Sequence, residues 1–185
     1  MPTIFLVPLV IIAVIVLFFI FMFNSLVTLR MRVKEAWSDI DVQLKRRNSL
    51  IPNLVESVKG YMKHEKELLE RITQLRSSVE TTKDRAELGK LDGQLTSALG
   101  SLKIAVEAYP DLKANQNVIN LQQELTDTED KISYSRRFYN SNVLAYNTSI
   151  STFPNVIFAG MLGFKEEQFF EANEDERKDV KVDLT

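Results

Sequence analysis

Apolar residues recur along this chain at steps of three and four, which is the period of one face of an α-helix. Four such stripes run through residues 26–61, 64–82, 88–106 and 118–146. Nowhere do β-branched residues alternate with polar ones over the length of a strand. The pattern therefore predicts an all-α protein.

The chain begins with an apolar run from Ile4 to Phe23 that is interrupted only by Pro8. At about 1.5 Å per residue the run spans about 30 Å, the thickness of a bilayer's hydrocarbon. A cleaved signal peptide, the alternative, has positive residues before the run and small residues after it. Neither is present here. We therefore expect an uncleaved, single-pass transmembrane anchor.

Positive charge follows the anchor closely, at Arg30, Arg32 and Lys34. The positive-inside bias then favours an N-terminus outside and a cytoplasmic helical part. No turn signal separates the anchor from the first stripe, so we expect one helix to leave the membrane and continue to about Gly60.

Helix lengths predict the architecture. The first helix beyond the membrane, residues 24–60, and the fourth, residues about 113–150, are each about 55 Å long, whereas the middle two are about 30–35 Å long. Short connections favour antiparallel neighbours, and hence an up-and-down four-helix bundle. The outer two helices then form a long, coiled-coil-like antiparallel pair, and the middle two cover only its distal half.

This architecture divides the chain into four parts. They are a transmembrane anchor at 1–23, the bundle at 24–152, an amphipathic membrane-proximal segment at 153–170 and an acidic, mobile tail at 171–185. The amphipathic segment either lies on lipid or against the base of the anchor, or folds onto the bundle as an ordinary amphipathic helix. On the lipid interpretation its contacts are Phe153, Ile157, Phe158 and Phe164.

The first stripe contains two irregularities. Arg47 and Asn48 fall where the next core residue is due, and Pro52 follows four residues after Asn48. Proline cannot donate the helical hydrogen bond to the Asn48 carbonyl. We interpret this as a kinked joint, with the freed carbonyl near its own amide and Arg47. The alternative is that Arg47 extends along the surface to solvent and the irregularity serves packing alone.

Antiparallel pairing of the outer helices places Trp37 at the height of Arg137, so that Asp39 and Asp41 face the level of Arg136 and Arg137. Asn48 on one stripe is then expected to meet Thr128, Ser135 or Asn142 on the other, or a neighbouring chain. Polar groups on a buried seam fix register or partner choice. The predicted joint and interface comprises Trp37, Asp39, Asp41, Arg46, Arg47, Asn48, Pro52, Asn53, Arg136, Arg137, Phe138, Tyr139, Asn140, Tyr146 and Asn147.

Composition excludes most catalytic chemistry. The 185 residues include no cysteine and one histidine, His64, and the net charge is −2. A disulfide framework, a thiolate nucleophile and a two-histidine di-iron site are therefore excluded, and the charge gives no indication of nucleic-acid binding. Phosphate-binding and zinc-protease motifs are absent from the sequence. We predict a protein that is not an enzyme, with no catalytic or metal site, no cofactor and no small-molecule substrate.

Several long blocks resemble the LemA family of bacterial membrane proteins. They are VKEAWSDIDVQLKRRNSLIPNLVESVKGY, AYPDLKANQN, EDKISYSRRFYN, the AYN at 145–147 and FPNVIFAGMLGF, in this order. The resemblance covers nearly the whole chain. It implies an N-terminal helix in the bacterial inner membrane and an up-and-down four-helix bundle. It supplies no catalytic residue, and it implies a link to membrane proteases, whose genes often neighbour those of family members.

Three hypotheses for the function remain. The first is a membrane-anchored scaffold, a homo-oligomer that self-associates at the lipid membrane. The second is an adaptor that docks a membrane-protein partner, such as a membrane protease or its substrate, in the groove between the first and fourth helices. The third, an enzyme, requires activity that is lost on changing His64 or an acidic cluster. Self-crosslinking through residues 26–50 favours the scaffold.

Overall fold

The computed structural model describes the backbone of residues 2–170 and the side chains of residues 8–170. This part of the chain is helical and contains no strand, so the all-α prediction is confirmed. The predicted tail at 171–185 lies outside the described residues. The helices are α1 (Pro2–Lys59), α2 (Lys66–Thr81), α3 (Arg85–Val106), α4 (Pro110–Lys113), α5 (Gln116–Ser151) and α6 (Asn155–Phe158).

Helix α1 runs without a break from the apolar segment to Lys59, as the uninterrupted period predicted. Among the described residues, it is the helix that is long and apolar enough to cross a membrane. Its apolar side chains are exposed, for example Leu9 at 66% and Phe21 at 71%. A buried helix of a soluble core would cover such side chains, so their exposure favours a lipid-facing segment.

The sequence also specifies where the shorter helices begin. The side chain of Asp84 accepts a hydrogen bond from the Glu87 amide (2.9 Å) and caps α3. Asn115 in the same way accepts from the Asn117 amide (3.0 Å) at the start of α5. Pro110 opens α4, which the fourth stripe did not distinguish from α5 because four residues are too few to show a period.

The described chain forms two compact units. The first unit consists of residues 2–37 and Tyr139–Glu167. It combines the N-terminal part of α1, the C-terminal part of α5 and the segment that follows. Its buried apolar residues are Met22, Leu26, Val33, Ala36, Tyr139, Val143, Tyr146, Ile150, Ala159 and Phe164.

The second unit consists of Ser38–Phe138 with residues 168–170. Here α2 and α3 pack directly against each other. The parts of α1 and α5 in this unit contribute buried residues at steps of three and four, as the stripes predicted, and these include Ile40, Leu44, Ile51, Leu54, Val58, Val118, Leu125 and Ile132. The full up-and-down order of the predicted bundle stays a prediction.

Candidate functional site

Arg47 lies in the core of the second unit. It is 1% exposed, and its Nη1 donates to Oδ1 of Asp92 in α3 at 2.9 Å. Its Nη2 donates to Oγ1 of Thr96 at 2.7 Å. The alternative in which Arg47 extends to solvent is therefore wrong. A buried guanidinium is tolerated here because a buried carboxylate neutralises it and a hydroxyl accepts a second N–H.

The carbonyl released by Pro52 receives a donor from another helix. Arg76 of α2 donates from Nε to the Asn48 carbonyl oxygen at 2.9 Å. The expectation had named only the Asn48 amide and Arg47 near this carbonyl, and it missed Arg76 as the donor. Helix α1 continues through Pro52, and a second guanidinium replaces the missing backbone donor. The kink itself stays a prediction.

Several buried polar atoms of the second unit lack a hydrogen-bond partner among the described residues. They are Gln43 Oε1, Arg47 Nε, Asn48 Oδ1 and Gln122 Nε2. The Thr128 hydroxyl donates to the Glu124 carbonyl of its own helix (2.7 Å). The contact expected between Asn48 and Thr128, Ser135, Asn142 or a neighbouring chain stays a prediction. Buried polar groups that are only partly paired lower the free energy of unfolding. These four atoms therefore reduce stability, while they favour one specific packing of the helices.

A groove of about 540 Å³ lies between α1 and α5 in the second unit. Its apolar walls are Val42 and Tyr134, which are 56% and 67% exposed. The polar residues that line it are Asp39, Gln43, Asp127, Asp130, Lys131 and Ser135. Three carboxylates and one ammonium give the groove a negative balance.

Other predicted interface residues lie at the surface. Arg46 is 3.6 Å from Glu124 of α5, and both side chains are half exposed. Asp41 pairs with Lys45 of its own helix at 2.7 Å. That Asp39 and Asp41 face the level of Arg136 and Arg137 stays a prediction. The remaining surface positions differ in exposure: Arg137, Phe138 and Asn53 are exposed, and Arg136 and Asn140 are half-buried.

In the first unit, Trp37 packs edge-on against Tyr139 with ring centroids 5.4 Å apart. Tyr139 is fully buried and Trp37 half-buried. The sequence placed Trp37 level with Arg137, two residues away. The antiparallel register of α1 and α5 was therefore predicted to within two residues in this unit.

Tyr146 and Asn147 lie further along α5. Burial raises the pKa of the Tyr146 phenol, and Glu167 adds to this, while Arg30 and the Lys165 backbone act in the opposite direction. The hydroxyl makes no hydrogen bond of ordinary geometry with the described residues. The Asn147 amide makes two bonds to one backbone unit, donating to the Glu167 carbonyl (2.9 Å) and accepting from the Glu167 amide (3.0 Å). Asn147 thus fastens the chain beyond α6 to α5.

Residues 152–164, which we call the return segment, pack against the C-terminal part of the anchor. The Phe158 ring lies 4.8 Å from that of Phe19, and the Phe164 ring lies 5.7 Å from that of Phe23. Phe164 is consequently 5% exposed and contacts the anchor in place of the lipid predicted for it. The other predicted lipid-contact residues are Phe153 (81% exposed), Ile157 (54%) and Phe158 (half-buried).

The return segment reverses direction through a Schellman motif. Phe164 donates its amide to the Ala159 carbonyl (2.9 Å) and Gly163 donates to the Gly160 carbonyl (3.2 Å). Gly163 has φ +77°, which glycine adopts without a Cβ clash. The turn directs the chain back toward Glu167 and the Asn147 side chain.

Sequence reasoning missed two features of these sites. Asp92 lies four residues after Leu88 and three before Leu95, so it occupies a stripe position and could have been matched to Arg47. Residues 138–164 contain no Asp, Glu, Lys, Arg or His. The last part of this stretch, residues 152–164, packs against the apolar anchor, and its lack of charge suits nonpolar surroundings.

No cluster of three metal-ligating side chains occurs among the described residues. His64 is exposed, between α1 and α2. The chemistry that these residues offer is therefore packing, charge pairing and contact with nonpolar surroundings.

These features define an all-helical protein with an N-terminal helix able to cross a membrane and no assembled catalytic constellation in the described part. The family model for the LemA family matches residues 36–184, so the chain belongs to the LemA family. The resemblance found in its sequence blocks is thereby confirmed.

Individual relatives agree with this assignment. The chain is 33% identical over 158 residues to Protein LemA of Metamycoplasma hominis, covering 85% of this chain and 72% of the relative. It is 25% identical over 174 residues to Magnetosome protein MamQ of Magnetospirillum gryphiswaldense, covering 80% of this chain and 64% of the relative. Magnetosome protein MamQ 2 of Paramagnetospirillum magneticum is likewise 25% identical, over 175 residues, with the same coverage.

Proposed function

We propose that this protein is a non-enzymatic, membrane-anchored helical scaffold that self-associates at the membrane. The observation that carries the proposal is the exposure of apolar side chains on α1 and α5 of the first unit, beyond the end of the apolar run. They are Val27 (36% exposed), Met31 (55%) and Leu144 (59%).

Lipid does not account for this exposure. Met31 stands between Arg30 and Arg32, and charged side chains of this kind mark the water-facing side of a membrane boundary. Leu144 lies five residues beyond Tyr139, whose ring contacts Trp37, so in an antiparallel pair of helices it lies near the level of residue 32. Apolar residues exposed to water on rigid helices favour association with another protein surface.

The anchor makes a second copy the favoured partner. Copies held in one membrane present the same residues at the same height, so that a contact between them needs no further positioning. We retain the orientation derived from the charges that follow the apolar run, at the bacterial inner membrane. The N-terminus is then outside and the helical part beyond the anchor is cytoplasmic.

Crosslinking in cells tests the proposal directly. Because the chain has no cysteine, Met31→Cys and Leu144→Cys each provide one thiol for a membrane-permeable bis-maleimide. We expect homodimers from both variants. The control is Ile104→Cys, which replaces a residue that is 76% exposed in the second unit. Homodimer yields no higher than that of the control would contradict self-association.

An adaptor is the alternative, and the acidic groove between α1 and α5 of the second unit favours it. A partner segment with one apolar and several basic side chains would satisfy Val42, Tyr134 and the surrounding carboxylates. Such a segment could belong to a membrane protease or its substrate. Val42→Cys crosslinked in the same experiment distinguishes the two functions: a product of one other mass supports the adaptor, and a homodimer supports the scaffold.

A further inference from the structure

The return segment packs against the part of α1 that we propose to cross the hydrocarbon of the bilayer. Its Phe158 contacts Phe19, four residues inside the end of the apolar run at Phe23, which is about 6 Å along a helix. Leu162 lines a cleft of about 460 Å³ together with Val16, Phe19 and Ile20, deeper in the anchor. This inference rests on the membrane anchoring proposed above.

The exposed surface of the return segment suits that environment. Val156, Ile157, Met161 and Leu162 are 45–84% exposed, and Phe153 is 81% exposed. No charged residue occurs from residue 138 to residue 164. Water would disfavour such a surface, whereas lipid chains would cover it at no cost.

A lipid environment also requires local pairing of backbone polar groups, and much of the return segment's backbone is paired in this way. The amides of Val156 and Ala159 donate to the Thr152 and Asn155 carbonyls at 2.9 and 2.8 Å. The Schellman motif at Gly163 pairs the groups at the turn.

The segment enters and leaves on the same side of the membrane. It begins where α5 ends, at Ser151, and the chain is fastened again to α5 where Asn147 holds the backbone of Glu167. The charged residues Lys165 and Glu166 follow the turn immediately and favour return to the aqueous boundary. The return segment therefore occupies one leaflet, whereas the anchor crosses both.

We infer that the return segment is a wedge inserted into one leaflet of the bilayer. This is the leaflet on the side where α1 and α5 extend beyond the membrane, and the protein therefore favours membranes in which that leaflet is convex. The anchor adds the same cross-section to both leaflets. The wedge adds a body about 10 Å across to one of them only. Inserted amphipathic segments respond to curvature because lipid packing is looser in a convex leaflet.

Spin-label accessibility tests the depth of the wedge in the full-length protein reconstituted in phosphatidylcholine and phosphatidylglycerol vesicles. Single labels at Met161→Cys, in the wedge, and Val14→Cys, in the anchor, should both be accessible to oxygen and shielded from a water-soluble nickel complex. Ile104→Cys provides the aqueous reference. If the Met161 label is in water while the Val14 label is in hydrocarbon, the wedge is overturned and the membrane anchoring is not. A Val14 label in water overturns the membrane anchoring itself.

Curvature preference is measured on tethered vesicles of mixed size, with the protein labelled at Ile104→Cys. An impermeant quencher identifies the molecules whose helical units face outward. We expect these molecules to be about twofold or more enriched per lipid on the smallest vesicles relative to the largest. A density that does not depend on vesicle diameter overturns the inference.

Matched variants assign the effect to the wedge. Phe153→Ser, Ile157→Ser and Met161→Ser together should abolish the enrichment, because they replace exposed side chains without removing a core contact. Tyr61→Ser and Ile119→Ser change exposed residues of the second unit (50% and 42% exposed) that lie outside the groove, and they should leave the enrichment unchanged. An enrichment that survives in the wedge variant overturns the inference, provided that its helical content and melting temperature match those of the parent.

Discussion

The two compact units contain different parts of the same two long helices, α1 and α5, but they bury different kinds of polar group. The second unit buries a full ion pair, Arg47 with Asp92, and directs Arg76 to a carbonyl of α1. The first unit closes its seam with aromatic residues and holds its last segment with the neutral amide of Asn147. A buried ion pair favours one specific pairing of helices in the second unit, whereas the charge-free return segment of the first unit suits the lipid contact that we propose.

The largest expected effect is loss of the buried ion pair in the second unit. Asp92→Ala leaves the Arg47 guanidinium buried without its countercharge, and we expect a loss of about 3–5 kcal/mol in the free energy of unfolding. Thermal unfolding followed by circular dichroism in mild detergent measures it. The exposed pair Lys45–Asp41 provides the control, since Lys45→Ala should cost only about 0.3–0.5 kcal/mol.

A companion variant sharpens this test. Arg47→Met combined with Asp92→Leu removes both charges together, and we expect a stability equal to or above that of the parent protein. If Asp92→Ala alone were as stable as the parent, the ion pair would not organise the second unit.

The next effect concerns the carbonyl that Pro52 leaves free. Arg76→Ala removes its donor and should cost about 1–3 kcal/mol. Pro52→Ala restores a backbone donor to the same carbonyl, so it should stabilise the Arg76→Ala variant more than it stabilises the parent. Additive effects in this double-mutant cycle would show that the two donors do not serve one acceptor. Loss of assembly on Pro52→Ala alone would support the predicted joint.

A smaller, local effect is expected in the first unit. Asn147→Ala removes both bonds to the Glu167 backbone, and amide exchange in residues 156–167 should accelerate about tenfold, equivalent to about 1.4 kcal/mol. Hydrogen-exchange mass spectrometry measures the change. Thr148→Ala, at the exposed neighbouring position, is the matched control, and equal acceleration in both variants would contradict a specific role for Asn147.

The smallest effect appears only at alkaline pH. Burial raises the pKa of Tyr146 in the folded protein above the ordinary value of 10.0. The folded state then holds the proton more tightly than the unfolded state, so this stabilisation is complete below pH 10 and is lost as the pH rises through the folded-state pKa. Tyr146→Phe should therefore reduce the loss of stability above pH 10 and change little at pH 7. An unchanged alkaline profile would contradict this.

The sequence was sufficient for the helices and their approximate register. The three- and four-residue steps of Ile40, Leu44, Ile51 and Leu54 require one continuous buried face, and this does not depend on the rest of the fold. Antiparallel pairing of the predicted outer helices then placed Trp37 level with Arg137, two residues from its observed partner Tyr139.

Long-range pairing could not be predicted in the same way. The stripe of α3 has two apolar rows, one through Leu91 and Leu99 and one through Leu88 and Leu95, and the sequence does not show which faces α1. Only the second brings Asp92 to Arg47, which is 45 residues away. The position of the return segment along α1 likewise depends on aromatic contacts with Phe19 and Phe23 that no local period encodes.

Self-association at the membrane is tested most directly by the native mass of the full-length protein in mild detergent. We expect a uniform oligomer from the parent protein and a monomer when Val27→Ser, Met31→Ser and Leu144→Ser are combined. Ile104→Ser, at an exposed residue of the second unit, should leave the oligomer unchanged. A monomeric parent protein, or an oligomer of the same mass from the triple variant, would contradict the proposed scaffold.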